Sequence, residues 1–223
     1  QINSFDDQGY ALSHSLALKE EWEMLRLLQD NGKVDVNLQD AKKRTALMHM
    51  IRNLPTEGHS QKNAWSATVE SILKSTHLHV NLADDEGNSA LILLAKLAYN
   101  DNHSMSYLHR EMKWILDLIL TNCDLNVGHV NQNNENAFIC SVKGVQHPNI
   151  QGLVMADRIL PFLLNPGINV KDNEGNMAGK YILKCWPGTD LKVQGQANKV
   201  MTNLLQNVHF DPNVVDKKGE SLV

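Results

Sequence analysis

Histidine and cysteine are the residues in this chain best equipped for chemistry, and their spacing offers little of it. His77-Leu78-His79 is the one close histidine pair. In an extended segment alternate residues share a side, so both imidazoles could grip one metal ion. No third ligand accompanies them, and no metal is expected. Cys123, Cys140 and Cys185 are odd in number and far apart, with no Cys-x-x-Cys, so neither a zinc site nor a redox pair is signalled. They read as buried thiols of a reducing compartment. Cys140 or Cys185 with a distant histidine would make a nucleophilic pair. Cys140, however, lies in the apolar run Phe138-Ile139-Cys140, which reads as core. Gly-rich phosphate loops, Gly-x-Ser-x-Gly and His-Glu-x-x-His are absent. The four tryptophans and four tyrosines are scattered, so no base-stacking platform is suggested. An enzyme is therefore not expected, nor a cofactor.

The elements that carry these residues have an ordinary globular composition. Of 223 residues, 42% are apolar and 21% charged, enough for a core and against wholesale disorder. A net charge of -4 without a dense Lys/Arg block argues against nucleic acid or an anionic membrane as partner. No apolar run approaches the ~20 residues of a membrane span; the stretch Trp114 to Leu120 already includes Asp117. The N-terminus has no charged-then-apolar signal pattern. The sequence opens on Gln1 and stops at Leu222-Val223 within a recurring pattern, which reads as a piece of something longer.

That pattern is a repeated phrase: an apolar residue, Asn, two residues, Asp, two residues, Gly. It reads Ile2-Asn3 with Asp6 and Gly9, Val80-Asn81 with Asp84 and Gly87, Ile168-Asn169 with Asp172 and Gly175, and Pro212-Asn213 with Asp216 and Gly219. Val36-Asn37 with Asp40 carries Lys43 in the glycine place. Leu125-Asn126 is looser, with two extra residues and with Asn131 and Asn134 standing for Asp and Gly. Successive asparagines are 34, 44, 45, 43 and 44 residues apart. Asp followed by Gly three residues later is turn chemistry: Asp bonds nearby backbone and Gly supplies a positive φ.

After each turn comes a small residue and a short apolar helix: Thr45-Ala46 to Ile51, Ser89-Ala90 to Ala95, Asn136-Ala137 to Cys140, and Met177-Ala178 to Leu183. A longer amphipathic helix follows, with helical spacing at Trp22, Leu25 and Leu28. The same spacing recurs at Val69, Ile72 and Leu73, at Ile115, Leu118 and Ile119, at Ile159, Leu160, Leu163 and Leu164, and at Val200, Leu204 and Leu205.

Turn plus two antiparallel helices, with Thr45-Ala46-Leu47-Met48 opening the first helix and Asp35-Val36-Asn37 or Asp124-Leu125-Asn126 before the turn, resembles the ankyrin repeat. Ankyrin units are about 33 residues long, so most units here are lengthened. The extra residues fall between the helices, at Leu54 to Asn63, Asn100 to Ser104, Gln146 to Gln151 and Pro187 to Gln194. Surface loops tolerate lengthening, and Pro55, Pro148 and Pro187 mark the breaks. The expected fold is an all-α ankyrin-type helical repeat solenoid with short β-hairpin-like turns. One domain over 1–223 is expected, with repeats near 3–36, 37–80, 81–125, 126–168 and 169–212, and a partial one at 213–223. In style, long Asn-rich repeats are similar to ankyrin proteins of intracellular bacteria.

The resemblance implies a protein-interaction scaffold that holds a partner on a concave surface of turn tips and first helices. The residues it assigns to that surface are Tyr10, Lys42, Arg44, Glu86, Asn88, Asn133, Glu135, Glu174 and Asn176, with solvated turn residues as the plainer alternative. Charge runs from basic Lys42, Lys43 and Arg44 to acidic Asp84, Asp85 and Glu86. His59, His103, His147 and Trp186 in the long loops form a second candidate surface. The family also implies hydroxylation of asparagine, favouring Asn126 after Leu118 and Asp124, then Asn81 after Leu73; hydrogen bonding across the turn is the plainer role. The expected partner is another protein, not nucleic acid or membrane, and the chain is expected to be monomeric and intracellular, in the cytoplasm. The second reading is an ankyrin targeting arm of a larger enzyme or bacterial effector, placed in the host cytoplasm, with the chemistry outside these residues.

Overall fold

A computed structural model describes residues 2–55, 59–98, 106–143, 150–184 and 191–221. The Asn100 to Ser104 extension lies outside the described residues, as do Pro148, Pro187, His103, His147, Cys185 and Trp186, and the other three extensions are described only in part. Described residues form α1 (Leu12–Leu18), α2 (Trp22–Asp30), α3 (Ala46–Arg52), α4 (Lys62–Leu73), α5 (Ala90–Leu97), α6 (Ser106–Leu120), α7 (Ala137–Val142), α8 (Ile150–Ile159), α9 (Ala178–Lys184) and α10 (Leu191–Gln206). Short 3₁₀ turns follow α8 at Leu160–Phe162 and Gly167–Asn169. The only strand-like pairings among the described residues are single antiparallel bridges, Phe5 with Ala11 and Ala83 with Ser89, each closing one turn. No described helix is long and apolar enough to cross a membrane.

A short helix follows each of the first five turns, and three of these helices are capped by the residue that precedes them. The side chains of Thr45, Ser89 and Asn136 accept from Met48, Ile92 and Ile139 N–H at the starts of α3, α5 and α7. The contacts divide into two compact units, residues 1–94 with 105–125, and residues 95–104 with 126–223. In the first unit, α1 packs on α3 and α2 on α4, with α6 against α4. Trp22, Leu25, Met50, Ile51, Trp65 and Ile72 fill its core. In the second, α7 packs on α9 and α8 on α10, around Phe138, Ile139, Leu153, Ile159, Ile182 and Leu204. Each such side chain contributes about 1.5–3 kcal/mol by leaving water.

The apolar stripes were drawn too wide in places. Leu164 and Leu205 are exposed, and Leu118 is half-buried while Leu116 takes the core place. Cys123 is exposed rather than buried, because it follows α6 in a surface loop. Cys140 is buried as read.

Candidate functional site

Every turn is built on one side chain. Asp6, Asp40, Asp84, Asn131, Asp172 and Asp216 each accept, on Oδ1, the N–H groups two and four residues later, at 2.7–3.0 Å. Each one's carbonyl also accepts the N–H three residues later, at 2.8–3.1 Å. That third residue adopts a positive φ at Gly9, Lys43, Gly87, Asn134, Gly175 and Gly219. At Gly175 (φ +84) the glycine is required twice, since a Cβ would also come within 2.9 Å of Lys217 N. Asn131 and Asn134 thus replace Asp and Gly as read from the loose copy.

This geometry splits the predicted contact residues into two classes. Two residues after the turn acid the side chain stands out from the tip: Lys42, Glu86, Asn133 and Glu174 are all exposed. Four residues after it, the side chain folds back toward the first helix. Tyr10, Arg44 and Asn176 are half-buried. Asn88 and Glu135 are buried, which removes them from the outer surface. Asn88 Nδ2 donates to Asp84 Oδ2 at 3.3 Å and to Glu86 Oε2 at 3.1 Å. Glu135 meets Lys143 Nζ at 2.8 Å. Neighbouring tips are tied by backbone: Asp85 N–H donates to Lys42 O in the first unit, and Asn173 N–H to Asn133 O in the second.

The phrase asparagines bridge one unit to the segment before the next unit's asparagine, rather than across their own turn. Asn37 donates to His77 O and accepts from His79 N–H; Asn81 donates to Asp124 O. Asn169 donates to His209 O and accepts from Asp211 N–H. Asn81 and Asn126 are both exposed. His77 and His79, also exposed, line an open groove of about 800 Å³ with Asp35, Asn37 and Asp124. Among the described residues no three or more His, Cys, Asp or Glu side chains gather as a metal site. His59 is half-buried and meets Glu20 at 3.1 Å.

No protein-family model matches the sequence, and no curated protein matches it. Solved structures do. EF0377, an ankyrin repeat protein, matches with a TM-score of 0.63 over 95% of this chain and 86% of its own, at 18% identity. An ankyrin repeat domain from Acinetobacter baumannii AYE matches at 0.64 over 92% and 84%, with 14% identity. The ankyrin repeat domain of Bcl-3 matches at 0.64 over 100% and 80%, with 12% identity. The fold is the ankyrin-repeat fold.

Within these ankyrin-type turns, sequence reading missed what holds the acid's second oxygen. In the first unit His49 Nε2 meets Asp40 Oδ2 at 2.8 Å, with both groups buried. Burial lowers the pKa of His49 and outweighs Asp40, so the imidazole is neutral and donates. Burial works to raise Asp40, but the Arg44 N–H, His49 and the Lys42 N–H outweigh it and keep the carboxylate ionised. His14 lies beside His49, ring centroids 5.9 Å apart. Its Nδ1 accepts from Ala11 N–H and its Nε2 donates to Leu38 O in the next repeat. The ankyrin opening motif, read best at Thr45 to Met48, thus has its histidine at Ala11-Leu12-Ser13-His14.

The second unit uses other donors. Tyr181 hydroxyl and Lys143 Nζ both donate to Asp172 Oδ2, at 2.5 and 2.9 Å. Lys143 also meets Glu135 at 2.8 Å and Glu174 at 3.7 Å. Burial opposes its charge, but Glu135 and Asp172 raise its pKa well above the ordinary value. Burial and Asp172 push Tyr181 up to about 12. Burial, with Glu135 nearby, pushes the Cys140 thiol up to about 12, so it is inert as a nucleophile at neutral pH. The signal existed in register: His49 and Tyr181 both stand nine residues after their turn acid. Arg52, Lys96, Lys143 and Lys184 all stand twelve after theirs.

Proposed function

We propose that the chain is a protein-interaction module that binds an extended segment of a partner protein through its turn tips and the exposed sides of its first helices. One observation carries this reading. The backbones of the tips are fixed by the buried side chains of Asp40, Asp84, Asn131 and Asp172, while the side chains two residues later stand exposed, and neither Lys42 nor Asn133 lends its side chain to the turn's own support. Rigid backbone presenting side chains that folding does not consume is what a recognition surface needs. Lys42 and Lys43 beside Asp85 and Glu86 give the first unit's tips a sign pattern that a partner with complementary charges would read. The same fold serves in Bcl-3 and EF0377, and a further neighbour is a chain from the complex of the Bdellovibrio bacteriovorus endopeptidase Bd0816 with immunity protein Bd3460 (TM-score 0.55, 15% identity, 93% of this chain and 86% of that one).

The test is affinity capture with mass spectrometry, using wild type and the double variant Lys42→Glu/Glu86→Lys. The expected result is a partner captured by wild type and lost, or at least ten-fold depleted, with the variant, whose retained helical fold is checked by circular dichroism. Undiminished capture of the same partner by the variant would refute the tip reading.

A further inference from the structure

The side chain four residues after the turn acid is in most repeats spent on the turn's own support. Asn88 donates to Asp84 and to Glu86. Glu135 accepts from Asn131 and meets Lys143. Asn176 donates to Glu174 and to the Tyr181 hydroxyl, and Glu220 meets Lys180 at 2.9 Å. Arg44 holds the same place in the second repeat, with a described repeat on either side, and it is not spent. His49 already meets Asp40 Oδ2, so the turn makes no use of the guanidinium. Among the described residues the Arg44 side chain forms no ion pair or hydrogen bond, and its Nε–H is buried without an acceptor. Such an orphan donor costs stability until an acceptor meets it. Lys42 and Lys43 stand exposed on the same tip, also without an ion pair among the described residues. The Tyr10 ring lies edge-on to His49 at 6.3 Å, and the charge of Arg44 acts on the same imidazole, so ring and guanidinium flank it. The next tip is of opposite sign. Asp85 N–H donates to Lys42 O, which sets exposed Asp85 and Glu86 directly beside the basic tip. All of these residues except Asn131, Glu135, Lys143 and the turns after them lie in the first unit.

We propose that the second turn tip is a carboxylate receptor: Arg44, with Lys42 and Lys43, anchors a Glu or Asp side chain of an extended partner segment, and Asp85 and Glu86 take a basic residue three positions away. The guanidinium is a planar fork of donors that matches a carboxylate two bonds at a time, and the orphan Nε–H supplies one of them. Half-burial keeps water from one side of the fork, the setting in which arginine anchors an interface. Packed helices lie about 8–10 Å apart and an extended chain advances about 3.3 Å per residue, so neighbouring tips are matched by residues three apart. A row of phosphates fits poorly, because Asp85 and Glu86 repel it one tip further on. This partner chemistry presupposes that the turn tips are the binding surface.

Nuclear magnetic resonance on the isotope-labelled full chain tests it, reading the Arg44 Nε–H signal and the backbone signals of residues 40–44 and 84–88. The probes are the peptide acetyl-Gly-Glu-Ser-Thr-Lys-Gly-amide and its reversed sequence, since the segment can run either way. At least one of the two is expected to shift the Arg44 Nε–H signal saturably. Glutamine in place of the peptide's glutamate is expected to weaken binding at least about ten-fold, and lysine moved next to the glutamate at least about three-fold. Arg44→Gln is expected to abolish the backbone response, and Arg44→Lys, which keeps the charge but not the fork, to weaken it at least about three-fold, with circular dichroism unchanged. If neither peptide binds, or if binding is indifferent to the loss of the peptide's carboxylate, the proposal is overturned without recourse to any variant. Partner capture separates the anchor from the surface. A partner lost with Lys42→Glu/Glu86→Lys but held at full yield by Arg44→Gln leaves the tips as the surface and overturns the carboxylate anchor.

Discussion

At Asp40 the second carboxylate oxygen meets a neutral imidazole, whereas at Asp172 it meets a phenol and an ammonium. The backbone of the two turns is the same, bond for bond. The turn thus asks only that some buried donor face Oδ2, and the residue nine positions on is free to change. The difference lies in charge. The Asp40 turn sets one buried carboxylate against a neutral partner. The second unit buries Glu135 and Asp172 around Lys143, whose ammonium is the shared counter-charge.

Removing the donor should therefore cost more in the second unit. Lys143→Met keeps the volume and leaves two buried carboxylates without their cation. A cost of about 3–5 kcal/mol is expected, the range for breaking a buried ion pair from one side. His49→Leu leaves one carboxylate oxygen without a donor while Lys42 and Arg44 N–H still hold the other, at about 1–3 kcal/mol. Urea unfolding with hydrogen exchange resolved over residues 131–181 and 40–51 measures both. Equal losses would mean that Lys143 is no more than a surface ion pair.

How far the sequence could see explains where these supports hide. The turn phrase placed all six turns, including the one in which Asn131 and Asn134 disguise it, because turn chemistry is local. The first helices begin at Ala46, Ala90, Ala137 and Ala178, as the small residue after each turn indicated. The Asp172 support escaped notice because Lys143 lies 29 residues before it, and only the fold joins them. Asn88 and Glu135 were classed with Lys42 and Glu86 because all flank a turn. Which of them face outward depends on how the chain turns back over the first helix, a tertiary fact. Periodicity likewise finds an apolar stripe but not its width, so Leu164 and Leu205 were drawn into the core.

Smaller in effect, and of opposite shape in the two units, is the response to pH. His49 keeps a depressed pKa in the folded chain, so below its ordinary 6.5 the unfolded chain binds a proton that the folded one refuses. Stability of the first unit is expected to fall as pH drops from 6.5. Asp40 adds its own loss below 3.8, as its depressed folded pKa is approached. In the second unit Glu135 and Asp172 are lowered from 4.5 and 3.8, so acid loss begins only there. Its alkaline side is the weaker one. Tyr181 and Lys143 are raised above 10.0 and 10.5, so stability is lost as pH rises past those values. Hydrogen exchange of the two turns at pH 7.5 and 5.5 should show faster opening at 40–49 and little change at 172–181. Parallel loss in both would sink the distinction.

The smallest effect compares the two glycine places that hold other residues. Lys43 (φ 55) and Asn134 (φ 57) both adopt the left-handed conformation. For lysine that costs about 1–2 kcal/mol, while asparagine tolerates it well. Glycine removes the strain but loosens the unfolded chain by about 0.4–1 kcal/mol. Lys43→Gly should therefore stabilise the first unit, by roughly 0.5–1 kcal/mol on those principles. At Asn134 there is little strain to relieve, and the side-chain amide donates to Lys171 O, a bond glycine would lose. Asn134→Gly should be neutral or destabilising by up to about 1 kcal/mol. Thermal midpoints of the two variants measure the contrast, and a gain at Asn134 equal to that at Lys43 would show that the asparagine amide adds nothing to its turn.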